Sequence, residues 1–400
     1  MEGRTELECT MDEQEVIVLD IGSGSIKVGF SGEDAPRAVL PTVVATTTVD
    51  EAREDEHVGG DSAAQKRSQN FYGDEALLQE AAAVTRPVQR GEIKLNGAHK
   101  DALEALWEHI FRNVLGVEQE ELPVLIADSL PLGQAAYPSR QWVTEVMFEK
   151  LKVKSLAIFN TAVLSLFSTG RTRGLVVESG EGLTQAVPVF EGFAIPHAIF
   201  KMEVAGQDIT SKVQKMMEGA DGQEFAGSFT TMQALKEKVC SVALDGRAAS
   251  KARRCEESRS FELPDGKIIR VNQQIRLGAP EVLFGGGDPN APTVQKICME
   301  AINTCDLDFR QDLVRSLVVA GGTTMLPGLA PRLKRELGRL LPSDLSRQVD
   351  PCVDSQRRYA AWIGGSMFAS LSTFDQVAIS KQEYEEGKTD IRSLVARKTF

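Results

Sequence analysis

Two acidic residues each close a short apolar run just ahead of a serine- and glycine-rich turn: Asp20 before Gly22, Ser23, Gly24 and Ser25, and Glu178 before Ser179, Gly180, Glu181 and Gly182. Glycine lets the backbone approach a ligand closely, and a tight turn aims several amides in one direction, so two such turns facing each other can clamp a polyphosphate. Lys27, just past the first turn, adds a point charge. Asp20, Glu178 and Glu181 would repel phosphate unless a divalent cation intervenes. Mg²⁺ keeps several waters that carboxylates can hold while phosphate oxygens ligate it directly, so Mg²⁺ is expected with the polyphosphate. A third glycine site, Gly321-Gly322-Thr323-Thr324, follows another apolar run. Taken singly, each motif reads first as an ordinary bend or helix start, and Lys27 as a solvated charge. Three glycine sites in order, with acids at the first two strand ends, are less easily dismissed.

Elements must position these residues. Val16 to Leu19 leads into the first turn, and Ile26, Val28 and Phe30 alternate after it, which reads strand, turn, strand. A Walker loop or a dinucleotide loop places a helix after its glycines, so both are rejected. The pattern recurs where Leu175 to Val177 lead into the second turn and Ala186, Val187, Val189 and Phe190 resume a strand, suggesting two related lobes around a shared cleft. The third site differs: Leu317 to Ala320 predicts a strand, and Leu326 to Leu341 has helical periodicity. Helical patterns also fill Asp101 to Leu115, Gln141 to Leu151 and Asn160 to Phe167, giving an α/β architecture. Asp50 to Asn70, rich in acids and polar residues, and Gly285 to Pro289 read as exposed, mobile excursions.

Bulk properties narrow the classes. A chain of 400 residues exceeds one ordinary core, and 42% hydrophobic with 26% charged residues is the composition of a soluble globular protein. A net charge of −12 argues against a broad grip on nucleic acid or on an anionic membrane. The longest mainly apolar stretch, Leu156 to Phe167, is interrupted by Asn160, Thr161 and Ser165 and is too short to span a bilayer. The acidic first fifteen residues lack the features of a signal peptide, so a cytosolic or nuclear home is expected. Cys9, Cys240, Cys255, Cys298, Cys305 and Cys352 are scattered and read as reduced packing thiols; His57, His99, His109 and His197 are equally isolated.

These residues carry a family resemblance. LDIGSGSIKVGFSGEDAPRAVLPTVV, Leu19 to Val44, resembles the first phosphate loop of actin and its relatives, and GLVVESGEGLTQAVPVFEGFAIPHAI, Gly174 to Ile199, their second. VVAGGTTMLPGL, Val318 to Leu329, is similar to their adenosine motif. YAAWIGGSMFASLSTFDQVAISKQEYEEG, Tyr359 to Gly387, followed by Arg397-Lys398-Thr399-Phe400, resembles the actin C-terminus. Nearly the whole chain is covered, although 46–69, 216–232 and 248–259 depart from the pattern. The resemblance implies an actin-like ATPase fold: two related α/β lobes, each with a central mixed sheet, around a nucleotide cleft. In the four subdomains of that fold, 1–41, 87–168 and 360–400 form the first, and 42–86 with its acidic loop 50–70 the second. Residues 169–204 and 281–359 form the third, and 205–280 the fourth. The implied cofactors are ATP or ADP with Mg²⁺. Gly22, Ser23, Gly24, Ser25 and Lys27 match the first phosphate clamp, and Ser179, Gly180 and Gly182 the second. Asp20, Glu178 and Glu181 match the acids that reach Mg²⁺ mainly through water. Lys236, Glu237, Gly321, Gly322, Thr323, Met325 and Arg358 match the nucleoside pocket, although on composition alone Lys236 and Glu237 are an ordinary surface pair.

Departures from actin bear on activity. Glu178 and Glu181 stand where actin has aspartates, and Thr161 and Gln185 stand where it has the glutamine and histidine that position the attacking water. A threonine hydroxyl cannot reproduce the reach of an amide. Asn160 is adjacent, but one residue along a helix turns the side chain by about 100°. Nucleotide binding with slow or absent hydrolysis is the expectation. The acidic 50–70 segment and Gly285 to Pro289 replace apolar filament contacts, whereas Phe167, Met367, Phe368, Leu371 and Val377 keep the apolar cleft that takes partner helices. Such residues serve equally well as core. The expected role is a scaffold subunit of a cytoskeletal complex, axonemal or dynein-linked, alone or beside actin or other actin-related subunits. This places it in the cytoplasm on the cytoskeleton, the cilium or flagellum included, without direct nucleic-acid or membrane contact. Alternatives are a polymerising ATPase with actin-like filaments and a nuclear subunit of a chromatin-remodelling complex. A sugar kinase lacks an identifiable catalytic aspartate loop.

Overall fold

The computed structural model describes residues 15–50, 66–79, 82–117, 122–129, 137–218, 228–246, 258–286, 288 and 290–398. Expectations resting on Cys9, His57, Cys255, residues 51–65, Gly287, Pro289 and Thr399-Phe400 lie outside the described residues. The first half of the chain contributes strands β1 (Ile17–Ile21), β2 (Ser25–Phe30), β3 (Ala38–Pro41), β4 (Val44–Asp50), β5 (Lys66–Tyr72), β6 (Ala83–Thr85), β7 (Val88–Gln89), β8 (Glu92–Ile93), β9 (Val124–Asp128) and β10 (Ser155–Asn160). The rest contributes β11 (Gly174–Ser179), β12 (Thr184–Phe190), β13 (Phe193–Ala194), β14 (Phe200–Met202), β15 (Arg259–Glu262), β16 (Ile268–Val271), β17 (Leu317–Ala320) and β18 (Ile379–Ser380).

The strands form two principal sheets. One runs β18-β10-β9-β1-β2-β3; the other runs β13-β12-β11-β17, with β14 added beside β12. In the first, β1 is antiparallel to β2 and parallel to β9; in the second, β11 is antiparallel to β12 and parallel to β17. The repeat read in the sequence is therefore a repeated sheet unit. Every residue of β1 and β9 is buried, as it must be where helices cover both faces of parallel strands. Smaller pieces stand apart: β4 pairs with β5 and β6, β7 with β8, and β15 with β16.

Capping explains where the helices begin. Helix α1 (Gly97–His109) starts four residues before the sequence pattern suggests, because the Asn96 side chain accepts the His99 amide; a wider π turn continues it through Leu115, where Gly116 at φ 65° ends it. Helix α2 (Tyr137–Glu145) also starts early and passes into a π turn at Val146–Lys150. Asn160 caps α3 (Thr161–Phe167) by accepting the Ala162 amide, which turns its side chain to a structural task. Three further helices matter for the site: α4 (Gly206–Glu218), α5 (Phe229–Val239) and α6 (Leu329–Leu340). The last begins three residues later than its periodicity predicts. A 3₁₀ turn occupies Gly322–Met325, and Pro327 with Gly328 at φ 87° interrupts before α6.

Two other expectations are corrected. Residues 66–70 of the polar excursion belong to β5, paired antiparallel with 46–50 of β4; cross-strand hydrogen bonds need no apolar content, which is why composition missed them. Gly285 is buried and closes the 3₁₀ helix Pro280–Phe284 at φ 102°, while Gly286 and Asp288 are exposed as expected. Among the described cysteines all four are free, and Cys240, Cys298 and Cys305 are buried. Burial pushes the Cys240 thiol up to about 12, as suits a packing residue.

Helix α3 joins the lobes. Its Leu164 packs with Phe159, Trp362 and Phe374 under the first sheet, while Ala162, Val163 and Leu166 pack against Val176 and Val187 of the second. Helix α7 (Ala360–Ala369) crosses it so closely that a methyl group on Gly364 would lie 1.9 Å from the Leu164 carbonyl oxygen. Trp362, fully buried on α7, anchors the crossing by donating its indole N–H to the Val18 carbonyl of β1 at 3.0 Å.

Candidate functional site

The β1–β2 and β11–β12 turns meet face to face across the cleft. A methyl group on Gly24 would fall 2.7 Å from Glu181 Cβ, and one on Gly182 would fall 2.8 Å from Ser23 Oγ. Only glycine permits this approach. Among the described residues, the amides of Ser23, Gly24, Glu181 and Gly182 make no backbone hydrogen bond outside helices and strands, so they are able to donate to a ligand in the cleft. At the third site Gly321, at φ 92°, would place a methyl 2.4 Å from the Ser179 carbonyl, and Thr323 Oγ1 donates to the Gly180 carbonyl at 2.7 Å. The turns thus lock together through Gly180.

The cleft measures about 540 Å³, within the range of roughly 300–1,000 Å³ usual for small-molecule sites. Every site residue expected from the sequence lines it except Ser179. The Ser179 hydroxyl turns away and shares a 2.8 Å hydrogen bond with Thr184 Oγ1, which itself donates to the Val204 carbonyl at 2.7 Å. Ser179 therefore braces the base of its turn instead of facing the cleft. Lys236 is not the surface residue that composition suggests. It is 4% exposed, and its ammonium donates to the Gly206 carbonyl at 3.1 Å and lies 3.4 Å from Glu181 Oε2. Glu237 and Arg358 stay exposed at the rim.

The acids occupy equivalent places. Asp20 lies opposite Lys27 across β1–β2, and Glu178 lies opposite Gln185 across β11–β12. Lys27 Nζ forms an ion pair with Asp20 at 2.9 Å. Glu178 is held by neutral donors: Thr161 Oγ1 donates to its Oε2 at 2.6 Å, and Gln185 Nε2 donates to the same oxygen at 2.8 Å. Desolvation by burial pushes the Glu178 carboxyl above its ordinary range, against the pull of those two donors, and the nearby Asp20 charge adds to the rise.

Glu181 Oε1 is buried without a partner, as is Arg357 Nε. A buried orphan carboxylate oxygen beside free turn amides fits a bound cation with a polyphosphate. Among the described residues no three metal-ligating side chains cluster. Arg357 was missed by sequence reasoning. It lines the cleft, accepts the Gly321 amide on its carbonyl at 2.9 Å, and donates from Nη2 to the Thr324 carbonyl at 3.1 Å. Its position one residue before Arg358 was the available signal. Gln233 and Tyr359 also line the cleft unforeseen.

The apolar candidates form a second locus. Phe368 packs its ring edge-on to Phe167 at 5.8 Å and tilted on Phe159 at 4.5 Å, and Phe368 and Val377 lean on the core beneath α7. Met367 and Leu371 are each 43% exposed, so part of this set is surface and part is core. Compared with known families, the chain matches the family model described as Actin over residues 11–400.

Proposed function

Because the chain belongs to the actin family, we propose that it binds ATP or ADP with Mg²⁺ as a structural nucleotide and serves as a scaffold subunit of a larger cytoskeletal complex, with hydrolysis slow or absent. The amides of the Ser23–Gly24 and Glu181–Gly182 turns, with Lys27, would hold the phosphates, while Lys236, Gly321 to Thr323, Met325 and Arg358 would enclose the nucleoside. Asp20, Glu178 and Glu181 would hold the waters of Mg²⁺, whose contribution when bound is to neutralise phosphate charge. Family membership supports the cytoskeletal placement; axonemal or dynein-linked assembly is the finer part of the proposal, with a chromatin complex as its alternative.

One observation carries the weak hydrolysis. Thr161 and Gln185, which match the family's water-positioning residues, both donate to one oxygen of Glu178. Gln185 Nε2 also reaches Thr161 Oγ1 at 3.5 Å, so the pair closes on itself. Positioning a nucleophile is worth orders of magnitude in rate, and this network engages the Thr161 hydroxyl and the Gln185 amide nitrogen with Glu178 and with each other. Phosphate release from the purified protein with ATP and Mg²⁺ tests the reading: release near background is expected, and turnover as fast as filamentous actin would overturn it. Sedimentation with the same ligands separates scaffold from polymer, since concentration-dependent pelleting would favour the polymerising ATPase. The half-exposed Met367 and Leu371 beside Phe167 and Phe368 make the groove for an amphipathic partner helix in this proposal.

A further inference from the structure

The β7–β8 hairpin rises from the first lobe, where Val88 and Ile93 enter the core, and its tip reaches across to the second. Arg90 and Gly91, the two tip residues, both have positive φ, 53° and 76°. This is the bend of a two-residue hairpin, in which a bulky side chain at the first position is strained by roughly 1–2 kcal/mol. An arginine held there implies compensating contacts, and they all lie in the other lobe. Arg90 Nη1 and Nη2 grip Asp208 of α4 in a fork at 2.6 and 2.9 Å, and Nη1 also donates to the Glu203 carbonyl at 2.6 Å. A second ion pair crosses at the same hairpin, Lys201 to Glu92 at 3.4 Å.

The tip also sits on the paired turns. The Gly91 amide donates to Ser23 Oγ at 2.8 Å, and a methyl on Gly182 would lie 2.9 Å from the Arg90 nitrogen. The lobes therefore cannot part along this edge without first breaking the Arg90–Asp208 fork. We propose that Arg90 is a positioning residue that latches the two lobes over the turns, so that exchange of whatever the cleft holds is limited by opening of the Arg90–Asp208 pair. Both partners are about 30% exposed (31% and 28%), enough for dissolved ions to screen the pair, so exchange accelerates with ionic strength. That the exchanging ligand is a nucleotide rests on the reading above; the latch itself does not.

Two variants keep the local fold while breaking the fork. Arg90→Asn suits the left-handed bend better than arginine, and Asp208→Asn retains an oxygen to accept the Ala205 amide, which Asp208 caps at 2.9 Å. Release of preloaded etheno-ATP with Mg²⁺ is measured at low and at physiological salt. Loss of a charge-assisted fork predicts release about tenfold faster in each variant, with the salt acceleration of the wild type gone. Wild-type rates and wild-type salt dependence in both variants would overturn the latch. Amide hydrogen exchange on the ligand-free proteins gives a separate readout, with faster exchange expected at 203–213 and 88–93 in both variants and unchanged exchange counting against the latch. If the wild type takes up no etheno-ATP, the nucleotide reading fails, and the hydrogen-exchange result alone decides the latch.

Discussion

Asp20 and Glu178 hold matching register positions in two related sheets, yet their partners differ in charge. Lys27 compensates Asp20 directly, whereas Thr161 and Gln185 offer Glu178 only neutral donors. Burial accordingly raises the Glu178 carboxyl, and this has a pH consequence. Below the ordinary glutamate range both folded and unfolded chains are protonated there, and the full stability is present. As pH rises through the folded value the unfolded chain ionises first, and stability is lost. Glu178→Gln removes that loss while keeping an oxygen for Thr161 and Gln185. The ligand-free variant should melt higher than the wild type at neutral pH, with the gap closing below about pH 4. Thermal melts at both pH values check this, and a lower melting point at neutral pH would mean that the carboxylate is ionised and favourably paired.

At the scale of elements, the cleft depends on how closely helices and strand ends can approach. The α3–α7 crossing joins the lobes beneath the site, and Gly364 sits where a methyl would meet backbone only 1.9 Å away. Backbone cannot swing aside as a side chain can, so Gly364→Ala should destabilise by about 3 kcal/mol. Its neighbour Gly365 faces Val18 Cγ1 at 3.0 Å and Leu125 Cδ2 at 3.2 Å, which are side-chain atoms able to shift. Gly365→Ala should cost less, about 1 kcal/mol. Urea denaturation of the pair ranks them, and equal losses would mean that the α3 crossing is not the rigid element. Ser380 makes a reciprocal capping box with Glu383 at the helix Lys381–Gly387. Ser380→Ala is expected to cost about 1 kcal/mol by the same measurement.

For the whole molecule, a ligand bound between two lobes stabilises the arrangement that brings them together. If MgATP binds only the folded chain, a concentration of about one hundred times its Kd adds about 2.7 kcal/mol. The melting temperature should rise on adding MgATP and fall back when EDTA removes the cation; an unchanged melt would count against a structural nucleotide. The net charge of −12 repels copies of the chain from one another.

Local sequence determined a good deal here. The alternation around Asp20 and Glu178, the glycine turns and the capping asparagines Asn96 and Asn160 fix strand, bend and helix start through short-range sterics and hydrogen bonds, so the repeated unit and most cleft residues were legible. Other features had nonlocal causes: β5 extends over Lys66–Asn70 because β4 lies beside it, and Ser179 turns inward because Thr184 and Val204 wait behind it. Lys236 and Glu237 are neighbours on one helix, yet one is buried and the other exposed, a difference that composition cannot contain. Arg90 bonds Asp208, 118 residues away, and Thr323 bonds Gly180 across 143. The first contact comes from the docking of two lobes and the second from β17 lying beside β11 within one of them, and no periodicity or motif along the chain encodes which side chains will then face one another.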